Sequence, residues 1–266
     1  MRLYWIYFIT SLSTLFFALI GFILTPLDWK GKIWAFIVRT WAKSILWVAN
    51  LRYSLKGLDN LETGQQYVFA CNHESIIDIP LTLAGIPRSV VPIAKIEIKK
   101  IPLLSWAMLA AGHIFVDRTN HKKALESMEK ARKSLIRKPR SILIFPEGTR
   151  SLDGDIKPFK KGGIILAINS GLPIVPMACC GTFDVLVKGS KKFNPRPLEL
   201  RFAQPINTKK DDMEQRNRIT EQVHNEVVRL KNEADFLVSD RGQVLLGQVG
   251  EFLSVELNAA VGRGVE

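Results

Sequence analysis

The residues with the clearest chemical potential are Asn72-His73-Glu74-Ser75-Ile76-Ile77-Asp78, which follow the apolar run Tyr67–Cys71 and precede the apolar segment Ile79–Leu83. A histidine leaving a buried strand, with an aspartate five residues on, fits a general base and its orienting carboxylate. It fits equally a hydrogen-bonded structural histidine followed by a cap or turn aspartate, and a heptapeptide alone does not separate the two. A second cluster, Gly112-His113-Ile114-Phe115-Val116-Asp117-Arg118, ends in an arginine at a strand exit. That guanidinium can grip a phosphate bidentately or form a surface ion pair with Asp117. A third, Phe145-Pro146-Glu147-Gly148-Thr149-Arg150, follows the buried run Ile142–Phe145. Proline fixes the start of the turn and glycine permits close backbone approach or positive φ. Carboxylate, hydroxyl and guanidinium together suit a polyol phosphate. A fourth, Pro158-Phe159-Lys160-Lys161-Gly162, puts two lysines at a helix start, against the helix dipole, where a nearby anion or plain solvation would account for them.

Elements that alternate between strand and helix must position these clusters. Strands are expected at Leu51–Leu55, Tyr67–Cys71, Ser89–Ala94, His113–Val116, Ser141–Phe145, Ile174–Ala178, Val185–Val187 and Leu198–Phe202. Helices are expected at Ala124–Ile136, Lys161–Asn169 and Asp212–Lys231. The pattern predicts an α/β fold with a mixed, largely parallel sheet flanked by helices.

The N-terminus reads differently. Leu3 to Leu27 carries no charge, has Tyr4, Trp5 and Tyr7 at one end and Trp29 at the other, and exceeds the roughly 20 residues that span a bilayer. Pro26 ends this helix. Ile33–Val48 then repeats Trp34, Ile37, Val38, Trp41 and Ile45 at helical spacing, with Lys32, Arg39 and Lys43 between them. That is a basic amphipathic helix suited to a headgroup layer, or else a core-facing helix; the membrane reading is preferred after so apolar a first helix. The expected organisation is therefore an N-terminal membrane-associated two-helix segment over residues 1–50, an α/β domain over 51–235 and a C-terminal appendage over 236–266.

Taken in order, Asn72-His73 with Asp78, then Gly112 to Arg118, then Phe145 to Arg150, then Val175-Pro176 resemble the four motifs of the glycerolipid acyltransferases, across about residues 50–210. Within that family the sequence is most similar to the bacterial 1-acyl-glycerol-3-phosphate acyltransferases. The resemblance implies transfer of a fatty acyl group from a thioester of acyl carrier protein or coenzyme A to the 2-hydroxyl of lysophosphatidic acid. His73 would be the base and Asp78 its partner, accepting the Nδ1 proton, fixing the tautomer and stabilising the imidazolium. Arg118 and Arg150 would bind the acceptor phosphate, with Lys95 beside them. Glu147, Gly148 and Thr149 would line the acceptor pocket. The family often has glycine near Ser105, so the local turn is where this sequence departs. Other acceptors in the same class are glycerol 3-phosphate, another lysophospholipid or a lyso-aminolipid; a lipid-binding protein without catalysis is the reading outside it.

Lys and Arg number 37 against 25 Asp and Glu, a formal charge of +12, which favours anionic partners. No nucleic-acid reader motif accompanies that charge, so an anionic bilayer surface and a phosphorylated lipid are the expected partners. No His/Cys/carboxylate cluster has metal-ligand spacing, and neither a metal nor a cofactor is expected. Cys71, Cys179 and Cys180 read as reduced core residues; Cys71 as a nucleophile beside His73 is the minor alternative. Lys30, Lys32, Arg39 and Lys43 put the domain on the cytoplasmic face of the inner membrane by the positive-inside tendency.

Overall fold

The computed structural model describes residues 2–28, 31–117, 121–137, 139–209 and 214–234. Seven strands, β1 (Tyr53–Lys56), β2 (Val68–Cys71), β3 (Val90–Lys95), β4 (Ile114–Val116), β5 (Ser141–Ile144), β6 (Ile174–Cys180) and β7 (Leu198–Phe202), form one sheet. Their spatial order is β1-β7-β6-β2-β5-β3-β4. From β6 to β4 all neighbours are parallel; β7 runs antiparallel to β6 and parallel to β1. Every residue of β2, β5 and β6 is buried, so these strands read in the sequence as unbroken apolar runs. The edge strand β1 alternates half-buried and exposed.

Helices α1 (Arg2–Leu24), α2 (Lys32–Val48), α3 (Asp78–Gly85), α4 (Leu104–Ala110), α5 (His121–Arg137), α6 (Gly162–Ser170), the single turn α7 (Thr182–Val185) and α8 (216–234) complete the fold. Because side chains alternate across a strand, the sheet buries two separate cores. On one face Phe69, Cys71, Leu143 and Met177 pack with Leu81 of α3 and with Ala42 and Leu46 of α2. On the other, Val68, Ile142 and Ile144 pack with Leu135 of α5, Ile164 of α6 and Val223 of α8.

The expected strands are found within a residue or two, with one exception. Val185–Val187 is not a strand: α7 ends at Val185, and Val185 and Leu186 are apolar because they fill the core, not because they pair in the sheet. Arg118 and residues 236–266 lie outside the described residues.

The N-terminal helices form an antiparallel hairpin. Pro26 sits in a short 3-10 turn, Thr25–Leu27, that ends α1. Asp28 caps α2 by accepting from the amides of Ile33 (3.0 Å) and Trp34 (2.8 Å). Trp34 lies so close over Gly21 that a Cβ there would stand 2.3 Å from the ring. Further along the hairpin, Trp41 donates to Thr14 and Ser13 meets Ser44.

The apolar stripe of α2 faces inward, contrary to the headgroup expectation. Trp34 and Ile37 meet Ala18 and Ala107, while Ala42 and Leu46 enter the main core. A buried side chain of that size contributes about 1.5–3 kcal/mol, so this packing itself holds α2 against the domain. Much of the outward apolar surface belongs to α1, where Trp5, Phe8, Phe16 and Ile23 are exposed, and α2 adds Phe36 and Trp47 on its outer side. Arg2–Leu27 is the one described helical stretch long and apolar enough to cross a membrane.

Candidate active site

In open α/β sheets, ligands gather beyond the carboxyl ends of the strands. His73 follows the carboxyl end of β2, and the Pro146–Arg150 turn follows that of the adjacent β5. Asn72 carries β2 into its turn. Its Oδ1 accepts from the Cys179 amide (2.8 Å) and its Nδ2 donates to the Cys179 carbonyl (3.0 Å) of β6. Asp78 opens α3 and is fully buried. Its Oδ2 accepts from the amides of Glu74 (2.7 Å) and Ser75 (2.8 Å), so the loop folds around the carboxylate.

That same oxygen lies 2.8 Å from His73 Nδ1. The five-residue spacing is bridged by the turn before α3, not by one helical face. The imidazole stacks on Phe145, ring centroids 4.2 Å apart and planes inclined by 23°. Its side chain is 15% exposed, so the ring is largely but not wholly enclosed. With Nδ1 committed to Asp78, Nε2 is the nitrogen available to take a proton from a bound hydroxyl.

The loop after β5 is tied to the same histidine from behind. Glu147 is buried; its Oε1 accepts from the His73 amide (2.6 Å) and its Oε2 from the Lys157 amide (3.1 Å). Burial raises the Glu147 carboxyl above its usual range, and these two amides pull it back. The carboxylate anticipated in the acceptor pocket thus braces main chain on both oxygens. The Ser151 amide donates to the His73 carbonyl (2.8 Å), which fastens the two loops together. Gly148 adopts φ +76°, and a Cβ there would stand 3.0 Å from Lys160 Nζ. Thr149 is exposed and accepts from Lys188 (3.3 Å). Arg150 is half-buried, and among the described residues no carboxylate pairs with it.

The structure therefore brings together His73, Asp78, Glu147, Gly148, Thr149 and Arg150, and adds Lys160 and Lys188 as cations at the rim. Lys95 stands at the carboxyl end of β3, where Glu97 engages its ammonium at 2.8 Å. In the Gly112–Arg118 cluster, burial with Arg140 nearby pushes His113 down to about 4, so it is neutral; Arg140 donates to the Gly112 carbonyl (3.1 Å). Cys71 and Cys179 are buried with sulfurs 3.4 Å apart. Burial pushes both thiols up, against any nucleophilic role. Beside Ser105, Leu103 adopts φ +54°, a conformation that ordinarily favours glycine, so the turn persists without one.

Three contributors escaped sequence reasoning. Phe145 read as a strand end and the first residue of the third motif, with no signal that its ring would stack on His73. Asn72 read as part of a motif, with no signal that its side chain docks on β6. Lys188 follows no motif and comes to Thr149 only through the fold.

A family described simply as acyltransferase matches residues 52–180. The 1-acyl-sn-glycerol-3-phosphate acyltransferase of Cocos nucifera is 33% identical over 80% of this chain and 68% of its own. That of Limnanthes douglasii is 35% identical over 70% and 65%, and that of Pseudomonas aeruginosa 31% over 65% and 68%. The chain belongs to the 1-acyl-sn-glycerol-3-phosphate acyltransferase family. The crystal structure of PlsC, the 1-acyl-sn-glycerophosphate (LPA) acyltransferase of Thermotoga maritima, superposes with a TM-score of 0.75 at 25% identity. It covers 88% of this chain and 95% of its own. The matched curated acyltransferases extend beyond the aligned region, which spans about two thirds of their length. The family match ends at residue 180, so β7 and α8 lie outside it.

Proposed function

We propose that this acyltransferase moves a fatty acyl group from an acyl thioester to the sn-2 hydroxyl of lysophosphatidic acid, giving phosphatidic acid. The observation that carries this reading is the 2.8 Å contact of His73 Nδ1 with the buried, amide-held Asp78. It stands beside a loop carrying Arg150, which no carboxylate among the described residues pairs with. His73 Nε2 removes the hydroxyl proton while Asp78 stabilises the imidazolium. The alkoxide oxygen forms a bond to the thioester carbonyl carbon, and the C–S bond then breaks. The departing thiolate recovers the proton from the imidazolium. No enzyme nucleophile is needed, and no metal or cofactor enters these steps.

Arg150, with Lys160 and Lys188 beside it, supplies the charge for the acceptor phosphate. Arg118 and Lys95 are further candidates for that role. Either acyl carrier protein or coenzyme A suits the donor role, since both present the same thioester. An assay of the purified protein with lysophosphatidic acid, glycerol 3-phosphate and a lyso-aminolipid, each with both donors, tests the reading. Turnover highest with lysophosphatidic acid is expected; preference for an unphosphorylated acceptor would overturn it.

The exposed apolar side of α1 supports membrane association. Both ends of α1 pack on the rest of the protein: Leu3 and Ile6 in the main core, and Ala18 and Gly21 against Trp34. A helix held at both ends favours lying in one leaflet over crossing it. The basic residues of α2 favour the cytoplasmic face of the inner membrane. Because α2 contributes Ala42 and Leu46 to the main core, removing residues 1–50 would also expose that core, which makes truncation a poor test of anchoring. The suitable test replaces Trp5, Phe8 and Phe16 with serine. Loss of vesicle binding with the fold retained is expected, and undiminished binding would count against α1 as the anchor.

A further inference from the structure

Glu74 has no part in the proton transfer, yet its carboxylate is buried at 1% exposure in the middle of the catalytic loop. Two groups hold it: Asn72 Nδ2 at 3.0 Å and the ammonium of Lys231. Lys231 projects from α8, 157 positions away in sequence and beyond the residues 52–180 that the family model matches. It is itself only 15% exposed, and it also donates to the Gly154 carbonyl (2.5 Å). Gly154 belongs to the loop whose Ser151 amide holds the His73 carbonyl, and the Ser151 hydroxyl accepts from the Gly154 amide (3.0 Å). Lys231 therefore grips the chain on both sides of His73: through Glu74, whose amide supports Asp78, and through the 151–154 loop.

The helix that carries this lysine is firmly seated. Val223, Val227 and Leu230 enter the core beneath the sheet. Phe159 meets His224 edge-on at 4.9 Å, and Arg201 of β7 reaches Glu233 at 3.0 Å. A surface lysine that only needed a counter-ion would not require a buried carboxylate and a carbonyl at once. Burying such a pair confers little net stability against an apolar alternative. Its defined geometry, by contrast, fixes two loops relative to each other.

We propose that Lys231, acting through Glu74 and the Gly154 carbonyl, is a positioning residue for the acyl transfer, with α8 as the element that sets the catalytic loop. The inference rests on the acyltransferase reading above. Lys231 touches no reacting atom; it holds His73 and Asp78 in register with the acceptor loop. Displacing a reacting group by about 1 Å can cost about 100-fold in rate, which sets the scale of the effect.

The test compares purified full-length wild type with Lys231→Met, Glu74→Ala, Glu74→Gln and the double variant Glu74→Ala/Lys231→Met, assayed with lysophosphatidic acid and acyl-coenzyme A or acyl carrier protein thioesters. Lys231→Met and Glu74→Ala are expected to lower kcat about 10- to 100-fold with the KM for the acyl donor within about twofold of wild type. The double variant should lose no more than either single change, because one clamp has been removed in all three. Glu74→Gln keeps an oxygen that accepts from both Asn72 and Lys231, so it should retain activity within about threefold. Wild-type kcat in Lys231→Met, or additive losses in the double variant, would overturn the proposal. Should Lys231→Met fail to fold, the Glu74 pair decides: equal loss in the alanine and glutamine variants overturns it, and rescue by glutamine upholds it. Inactivity of wild type on every acceptor would instead overturn the acyltransferase reading.

Discussion

Around His73 the polar side chains are buried and held by hydrogen bonds; around Arg150 the cations stand toward solvent. Asp78, Glu147, Glu74 and Asn72 are all within a few per cent of complete burial, and they hold main-chain amides or one another. Thr149 and Lys160 are exposed. The difference matches two tasks. Proton transfer needs a base whose tautomer and position are fixed before the substrate arrives. Capture of a phosphorylated lipid needs donors that are still unsatisfied when it arrives.

The contrast predicts two kinds of kinetic defect. The largest effect is expected for His73→Ala, with kcat lower by about 10⁴-fold and acceptor KM little changed, measured with the protein still folded. Asp78→Asn should follow at about 10²- to 10³-fold, since the amide holds the ring but no longer favours the imidazolium. A mainly KM-based defect in either would break the division between the two regions. Arg150→Ala should act in the opposite sense, raising the KM for lysophosphatidic acid about 10- to 100-fold while leaving that for the acyl donor near wild type. Equal effects on both substrates would remove the phosphate role.

The smallest effect concerns stability and pH. Burial pushes the Glu74 carboxyl from 4.5 up to about 7, with Lys231 and Asn72 pulling against the shift. The folded protein thus binds this proton more tightly than the unfolded chain does. Its stabilising contribution is complete below about pH 4.5 and is lost as the pH rises through 7. Glu74→Gln should therefore melt at a higher temperature than wild type at pH 8, by a few degrees, with the gap closing toward pH 5. A gap that widens on acidification would show that the ionised pair is the stabilising form.

Much of the fold was legible because fully buried strands leave unbroken apolar runs, as Ile142–Ile144 and Ile174–Ala178 do. The segment at Val185 misled because burial without pairing leaves the same trace. The stripe of α2 misled for a related reason: a helix facing a protein core and one facing lipid carry the same periodicity. Only the packing of Leu46 and Ala42 against the domain distinguishes them. At the site, His73 and Asp78 were readable as neighbours in a motif, and the contact between them is short-range. Glu147 was visible as a special residue, but its bonds to the amides of His73 and Lys157 depend on how two loops meet. Lys231 and Lys188 were illegible because sequence separation hides a contact that only the sheet order creates.

Asn72 has a consequence of its own. Its side-chain amide faces Cys179 as a peptide group would, offering one acceptor and one donor to the neighbouring strand. The ladder between β2 and β6 therefore continues for one further rung after the backbone has turned away. Such a rung works like a keyway: the chain can leave the sheet for a loop without losing its registration. The residue after it, His73, inherits the positional accuracy of a strand while sitting on a turn. An aspartate at this position would set a carboxylate against the Cys179 carbonyl and lose that registration, although it differs from asparagine by a single group.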